Sequence, residues 1–148
     1  HDAAMRAHWV HVEHDFANPP ERVFARLSEH ENLTAIFPAR ITRLRDGGDG
    51  HRNGVGSARK MRPFGFGPPF EETVTEFVEN ERIVYRITKG SPLRGHEGTM
   101  LFTPTAGGGT HLDYKIRLAS PIPGVAALVQ KALTQSIRKG LPEIDARA

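Results

Sequence analysis

Residues 16–27, Phe16-Ala17-Asn18-Pro19-Pro20-Glu21-Arg22-Val23-Phe24-Ala25-Arg26-Leu27, are where the apolar pattern of the chain changes period. Upstream, His8 to Phe16 alternates with period two: Val10, Val12, His14 and Phe16 share one face, and Trp9, His11, Glu13 and Asp15 the other. Asn18-Pro19-Pro20-Glu21 then reads as a helix start, with Asn18 as cap and proline in the first turn. Val23, Phe24 and Leu27 recur at helical spacing, and a second short helix is expected over Glu31 to Phe37, stopped by Pro38.

Downstream of Pro38 the chain reads as strands separated by turn residues. Ile41 to Arg45 ends at the Asp/Gly cluster 46–50, and Val55 to Arg62 ends at the Gly/Pro loop 63–69. Phe70 to Val78 and Arg82 to Thr88 form one hairpin over Glu79-Asn80-Glu81. Gly95 to Thr103 and Thr110 to Leu118 form another over Ala106 to Gly109. From about Pro123 to Arg147 the period is helical again. Val125, Leu128, Val129, Ala132, Leu133, Ile137, Leu141 and Ile144 make one stripe, with a kink expected at Pro142. One strand, two short helices, about six strands and one long helix define an α+β class. In it a curved, mostly antiparallel sheet of about seven strands must bury its apolar face on the helix, leaving a cavity where the two part.

Register follows from the turns. The loops pair Arg59 with Glu72, Ser57 with Val74, Tyr85 with Gly98, Ile87 with His96, Phe102 with Leu112 and Met100 with Tyr114. A tight turn at 79–82 pairs Val78 with Ile83, Glu76 with Tyr85 and Val74 with Ile87. One face then collects Arg59, Met61, Phe70, Glu72, Val74, Glu76, Tyr85, Ile87, His96, Met100, Phe102, Leu112 and Tyr114. It is the more apolar face and so the concave one. A single bulge would carry part of this set across the sheet, and the strand holding Thr75 and Phe77 is apolar on both faces.

The segment from Phe16 to Leu27 resembles the entry signature of the START-like (SRPBCC) superfamily, whose fold is the helix-grip. Gly54-Val55-Gly56 leading to Arg59, Glu72-Thr73-Val74, Tyr85, Gly90-Ser91-Pro92, His96-Glu97-Gly98, Gly109-Thr110 and the long terminal helix resemble its bacterial polyketide cyclase/dehydrase branch. The resemblance spans nearly the whole chain. It implies a cavity for a small hydrophobic molecule, polyketide-like, aromatic or lipid. The protein would act as a carrier or sensor, or alternatively as a cofactor-free cyclase/dehydrase. A protein-interaction module, chaperone-activator-like or toxin-type, is the third class. Ligand contacts are expected from Arg59, Met61, Phe70, Glu72, Tyr85, His96, Met100 and Tyr114. In the catalytic alternative Arg59 and Tyr85 would stabilise an enolate and His96 would move protons. The competing readings are structural: an Arg59–Glu72 ion pair at the cavity mouth, an amphipathic wall residue at Tyr85, a hydrogen-bonded strand histidine at His96.

Composition narrows the classes further. With 148 residues, 38% hydrophobic and 25% charged, the chain is expected to form a single domain over residues 1–148. The absence of cysteine excludes disulfides, thiolate metal sites and cysteine nucleophiles. There is no apolar run of the ~18 residues that span a bilayer, and no basic-then-apolar leader, so an integral membrane segment is not expected and a cytoplasmic location is. The net charge is +3, but Arg40, Arg43 and Arg45, and Arg59, Lys60 and Arg62, fall in strands rather than along a phosphate track, so no nucleic-acid partner is expected. His8, His11 and His14 cannot chelate together, because His11 points to the opposite face of its strand; no metal is expected. Gly54-Val55-Gly56 opens a strand, not a helix, and no Gly-x-Ser-x-Gly elbow is present, so neither a cofactor nor a hydrolase triad is expected. The molecule is expected to be a monomer or homodimer. The opening His1-Asp2-Ala3-Ala4 is given no function.

Overall fold

The computed structural model describes residues 5–48 and 50–148; the first four residues and Asp49 lie outside the described residues. Strand β1 (His8–Phe16) is followed by α1 (Pro20–Ser28), a 3₁₀ helix (His30–Ala35) and strands β2 (Ala39–Arg45), β3 (Ala58–Pro63), β4 (Phe70–Val78), β5 (Arg82–Lys89), β6 (Arg94–Pro104) and β7 (Thr110–Ala119). Helix α2 (Val125–Arg147) closes the chain. The strands form one antiparallel sheet in the order β1-β7-β6-β5-β4-β3-β2. This is the helix-grip arrangement expected from the sequence: an open sheet curved around the long helix.

Bulges sharpen the curvature, since an extra residue on one strand bends it. They lie between Arg43 and Arg45, between Glu71 and Glu72, between Val74 and Glu76, and between Arg94 and Glu97. The inward residues Val10, Val12, Phe16, Met100, Phe102, Leu112, Tyr114, Ile116 and Leu118 are buried in one core with Val23, Phe24 and Leu27 of α1 and Ile137, Leu141 and Ile144 of α2. Arg59–Glu72, Tyr85–Gly98, Phe102–Leu112 and Met100–Tyr114 are paired as the turns predict. Val74 also exchanges backbone hydrogen bonds with Gly56 and Ser57.

The β4–β5 register differs from expectation in two places. Asn80 takes a left-handed φ of 66°, which shortens the loop and pairs Val78 with Arg82 instead of Ile83. The bulge at Thr75 then adds a second slip, so Val74 opposes Tyr85 and Glu72 opposes Ile87. Two slips of one residue restore parity: Glu72, Val74, Tyr85 and Ile87 stay on one face. Glu76 does not. It turns outward to pair with Arg82 at 3.2 Å, and Phe77 takes the inward place, packed edge-on against Phe24 at 5.2 Å. Burial of a phenyl ring outweighs the lost ladder position.

Asn18 is not the helix cap. Pro19 holds that position without a side-chain cap bond, and the Asn18 amide instead donates to the Asp145 carboxylate at 2.7 Å and to its carbonyl at 2.8 Å. Asp145 also accepts the backbone N–H groups of Ala17 and Asn18. Partial burial pushes the Asp145 pKa up, but these hydrogen bonds outweigh it and hold the carboxyl below its usual range. The end of α2 is thereby pinned to the β1–α1 turn. Arg43 is not a solvated strand residue either: it reaches Glu31 at 2.9 Å and Asn53 at 2.7 Å, tying β2 to the 3₁₀ helix.

Helix α2 continues through Pro142, whose exposed position lets water meet the carbonyl freed one turn earlier. A Cβ at Gly140 would overlap the Ala35 carbonyl, so glycine is required where α2 crosses the 3₁₀ helix. Leu128 is exposed rather than part of the buried stripe, and Leu133 is only half-buried. The first half of α2 stands away from the sheet, and that separation makes the cavity.

Candidate functional site

Between the sheet and the first half of α2 lies a cavity of about 370 Å³. Its walls are Phe37, Pro38 and Ala39, Met61 and Phe70 from β3 and β4, Ile87 from β5, Ile116 from β7, and Val125, Val129, Ala132 and Leu133 from α2. Two loops rim it, Phe64 and Pro68 beside Pro63 at the end of β3 on one side and Gly90-Ser91-Pro92-Leu93 on the other. Its polar lining includes Glu72, Tyr85 and His96 from three successive strands. A second hollow of about 620 Å³ beside Met5, Arg6 and Gly124 has no buried ionisable side chain among its lining residues.

The polar group is built across neighbouring strands. Arg59 and Glu72, 3% and 4% exposed, face each other on β3 and β4. Arg59 Nε donates to Glu72 Oε1 at 2.9 Å; Nη2 lies 2.8 Å from the same oxygen, off the line of a good second hydrogen bond. The guanidinium also sits over the Tyr85 ring, 4.8 Å from its centre. Tyr85 owes its place to Gly98 opposite it, where any Cβ would overlap the phenol ring. The Tyr85 and Tyr114 hydroxyls are hydrogen-bonded to each other. Burial raises both phenol pKa values, with Tyr114 and Glu72 reinforcing the rise at Tyr85, so both remain neutral.

His96 is the remaining member. It stands beside the expected Ile87 pairing, but its ring replaces the backbone partner: the Ile87 N–H donates to His96 Nδ1 at 3.0 Å. Its other nitrogen, Nε2, lies 3.7 Å from Glu72 Oε2. Burial lowers the His96 pKa, opposed by Glu72 and assisted by Arg59, so the neutral ring is favoured.

Of the eight residues expected to contact a ligand, Met61, Phe70, Glu72, Tyr85 and His96 line the cavity. Arg59, Met100 and Tyr114 are buried behind it and are not among its lining residues. His14 packs edge-on against Phe16 at 4.6 Å, away from the lining. The rim loops were not anticipated, because a loop's position over a cavity is set by the strands that carry it. His30 was not anticipated either. It is fully buried, with Nε2 3.0 Å from Ser57 Oγ. Burial first, then Arg59 and Arg43, lower its pKa to about 3. Between two short helices a histidine reads as an ordinary polar residue, so nothing in the pattern marks it.

On the outer face, His11, Glu13 and Asp113 place ligand atoms within 4.8 Å of one another, and His111 bridges Glu13 at 3.0 Å and Asp15 at 2.6 Å. The trio of His8, His11 and His14 does not form, for the reason of strand alternation. The cross-strand group around His11 was not visible until β1 and β7 were paired. His11 is hydrogen-bonded to Asp113, and His111 to Glu13 and Asp15, on an exposed surface.

A seven-stranded sheet gripping a long helix over an apolar cavity defines a START-like protein. The chain belongs to the family described as polyketide cyclase / dehydrase and lipid transport, whose model matches residues 7–148. Among solved structures it is similar to a START superfamily protein from Mycobacterium smegmatis, with 18% identity, coverage of 95% of this chain and 96% of that one, and a TM-score of 0.74. A protein from Thermus thermophilus is similar at 20% identity, 95% and 96% coverage, and a TM-score of 0.72. Norcoclaurine synthase from Thalictrum flavum, solved with dopamine and hydroxybenzaldehyde, is similar at 12% identity, 98% and 87% coverage, and a TM-score of 0.70. At these identities the likeness is one of fold. No curated protein matches the sequence significantly. Among the described residues no helix is long and apolar enough to cross a membrane.

Proposed function

We propose that the chain is a single ligand-binding domain, a cytoplasmic carrier or sensor that holds one small, mostly apolar molecule (aromatic, polyketide-like or lipid) between the sheet and α2. The observation that carries this reading is the cavity of about 370 Å³ with apolar walls and Glu72, Tyr85 and His96 as its ionisable lining, the composition of a small-molecule pocket. The uncharged fluorescent probe N-phenyl-1-naphthylamine should bind with about one site per chain. Leu133→Trp, which puts an indole into the α2 wall, should abolish binding without unfolding the protein. Absence of binding, or unchanged binding in this variant, would refute the reading.

A second reading, cofactor-free cyclisation or dehydration, is favoured by one observation, the Glu72 carboxylate beside His96 at the cavity. Its proton chemistry would fall to Glu72 rather than His96, because the imidazole lone pair at Nδ1 is already engaged by Ile87. Catalysed turnover of an aromatic poly-ketone, lost in Glu72→Gln, is its test.

A further inference from the structure

The hydrogen bonding of His96 specifies what the polar part of the cavity can hold. A backbone N–H can only donate, so the bond from Ile87 to Nδ1 requires a lone pair there and puts the neutral ring's proton on Nε2. The cavity is therefore offered a donor at His96 Nε2–H. Beside it, 3.7 Å away, is Glu72 Oε2, a carboxylate oxygen that only accepts. That distance is too long for a hydrogen bond, and among the described residues neither atom has a hydrogen-bond partner. Both side chains line the cavity, and both are otherwise buried. The charge of Glu72 is already matched by Arg59, which lies behind it.

A single hydroxyl answers both atoms, its oxygen accepting from Nε2–H while its hydrogen goes to Oε2. A ketone oxygen satisfies only the donor. An ammonium satisfies only the acceptor. A carboxylate brings a second negative charge against Glu72, in a place where burial makes like charges costly. We infer that the cavity selects a predominantly apolar molecule bearing one uncharged hydroxyl, alcohol or phenol, seated between His96 Nε2 and Glu72 Oε2, and discriminates against the matching carboxylate. This rests on the cavity being a binding site, as proposed above, and adds the chemical class of its occupant.

The test compares three probes of one shape at pH 7.5: 2-naphthol, 2-methylnaphthalene and 2-naphthoate. Calorimetric or fluorescence titration should give 2-naphthol about tenfold tighter binding than 2-methylnaphthalene, the size of one net hydrogen bond, and 2-naphthoate the weakest binding of the three. His96→Leu should remove most of the advantage of 2-naphthol over 2-methylnaphthalene, since only the Glu72 acceptor is left to meet the hydroxyl. Glu72→Gln, if it folds, should improve 2-naphthoate relative to 2-naphthol, since Arg59 then lacks its counter-charge. The wild-type comparison needs neither variant. If 2-methylnaphthalene binds and 2-naphthol gains nothing, or 2-naphthoate binds best, the hydroxyl inference is overturned and the cavity reading survives. If none of the three binds, the cavity reading fails and this inference fails with it.

Discussion

Arg59 and Glu72 meet on the concave face because β3 and β4 oppose them directly, and both are almost wholly removed from water. A buried pair of this kind is a poor source of net stability, since desolvation consumes most of the Coulombic gain, but losing one partner strands the other. Arg59→Met alone should therefore cost roughly 3–5 kcal/mol. Arg59→Met with Glu72→Leu should recover most of that loss, because no charge is left buried. Urea unfolding of the two single variants and the double variant measures this cycle. A single variant costing no more than about 0.5 kcal/mol, the level of a surface change, would mean that water reaches the pair. Tyr85 belongs to the same cluster through the guanidinium above its ring, and Gly98 gives that ring its space.

Helix α2 has two halves with different work. Ile137, Leu141 and Ile144 are fully buried against β1, the 3₁₀ helix and α1, and Gly140 permits the close crossing. Val125, Val129 and Leu133 are half-buried because they face the cavity. Truncation should separate the halves. Ile137→Ala creates a void in packed core and should cost about 2–5 kcal/mol. Leu133→Ala removes a side chain that already borders open space and should cost under roughly 1.5 kcal/mol, while enlarging the cavity. Equilibrium denaturation of the two variants compares them; equal losses would mean the first half packs as tightly as the second. The same division explains why one apolar stripe, read along the whole helix, overstates its burial at Leu128 and Leu133.

For the whole molecule, buried histidines set the response to acid. His30 drops from 6.5 to about 3, chiefly through burial, so between these values the unfolded chain binds a proton that the folded chain refuses. Its contribution to stability is complete above pH 6.5 and is lost as pH falls toward 3. His96, also lowered by burial, acts in the same direction. Glu31, held at about 2 chiefly by its hydrogen bond to Arg43, adds stability above its ordinary 4.5 that is lost as pH falls toward 2. His111, raised by Asp15 and Glu13, has the opposite sign: its stabilisation is lost as pH rises through its raised pKa, and its exposure keeps that small. Stability should hold near neutrality and begin to fall below about pH 6.5. His30→Gln should flatten the fall between pH 6.5 and 4.5, by up to about 1.4 kcal/mol per pH unit. Urea midpoints measured across this range test it, and an unchanged slope in the variant would show that His30 is not the titrating group.

The elements and most of the register were legible in the chain because they rest on local physics. Alternation at Val10, Val12 and Phe16, the Gly-rich turn before Thr110, and the period of α2 each involve neighbours in sequence, and short loops carry that order across to Arg59–Glu72 and Met100–Tyr114. Five of the eight residues expected to contact a ligand fall on the cavity wall, since face membership needs only parity. What the chain alone left undecided depends on partners far away in sequence. The side of Glu76 and Phe77 was decided by the Phe24 ring on α1. The role of Asn18 was decided by Asp145, 127 residues away. His30 acquired its state by burial beside Ser57. The proton on His96 was placed by the Ile87 amide once the bulged end of β6 turned the imidazole toward it. Strand periodicity tells which way a side chain points, but a hydrogen-bonding state is set by the atoms that meet it, and only the packed chain brings those together.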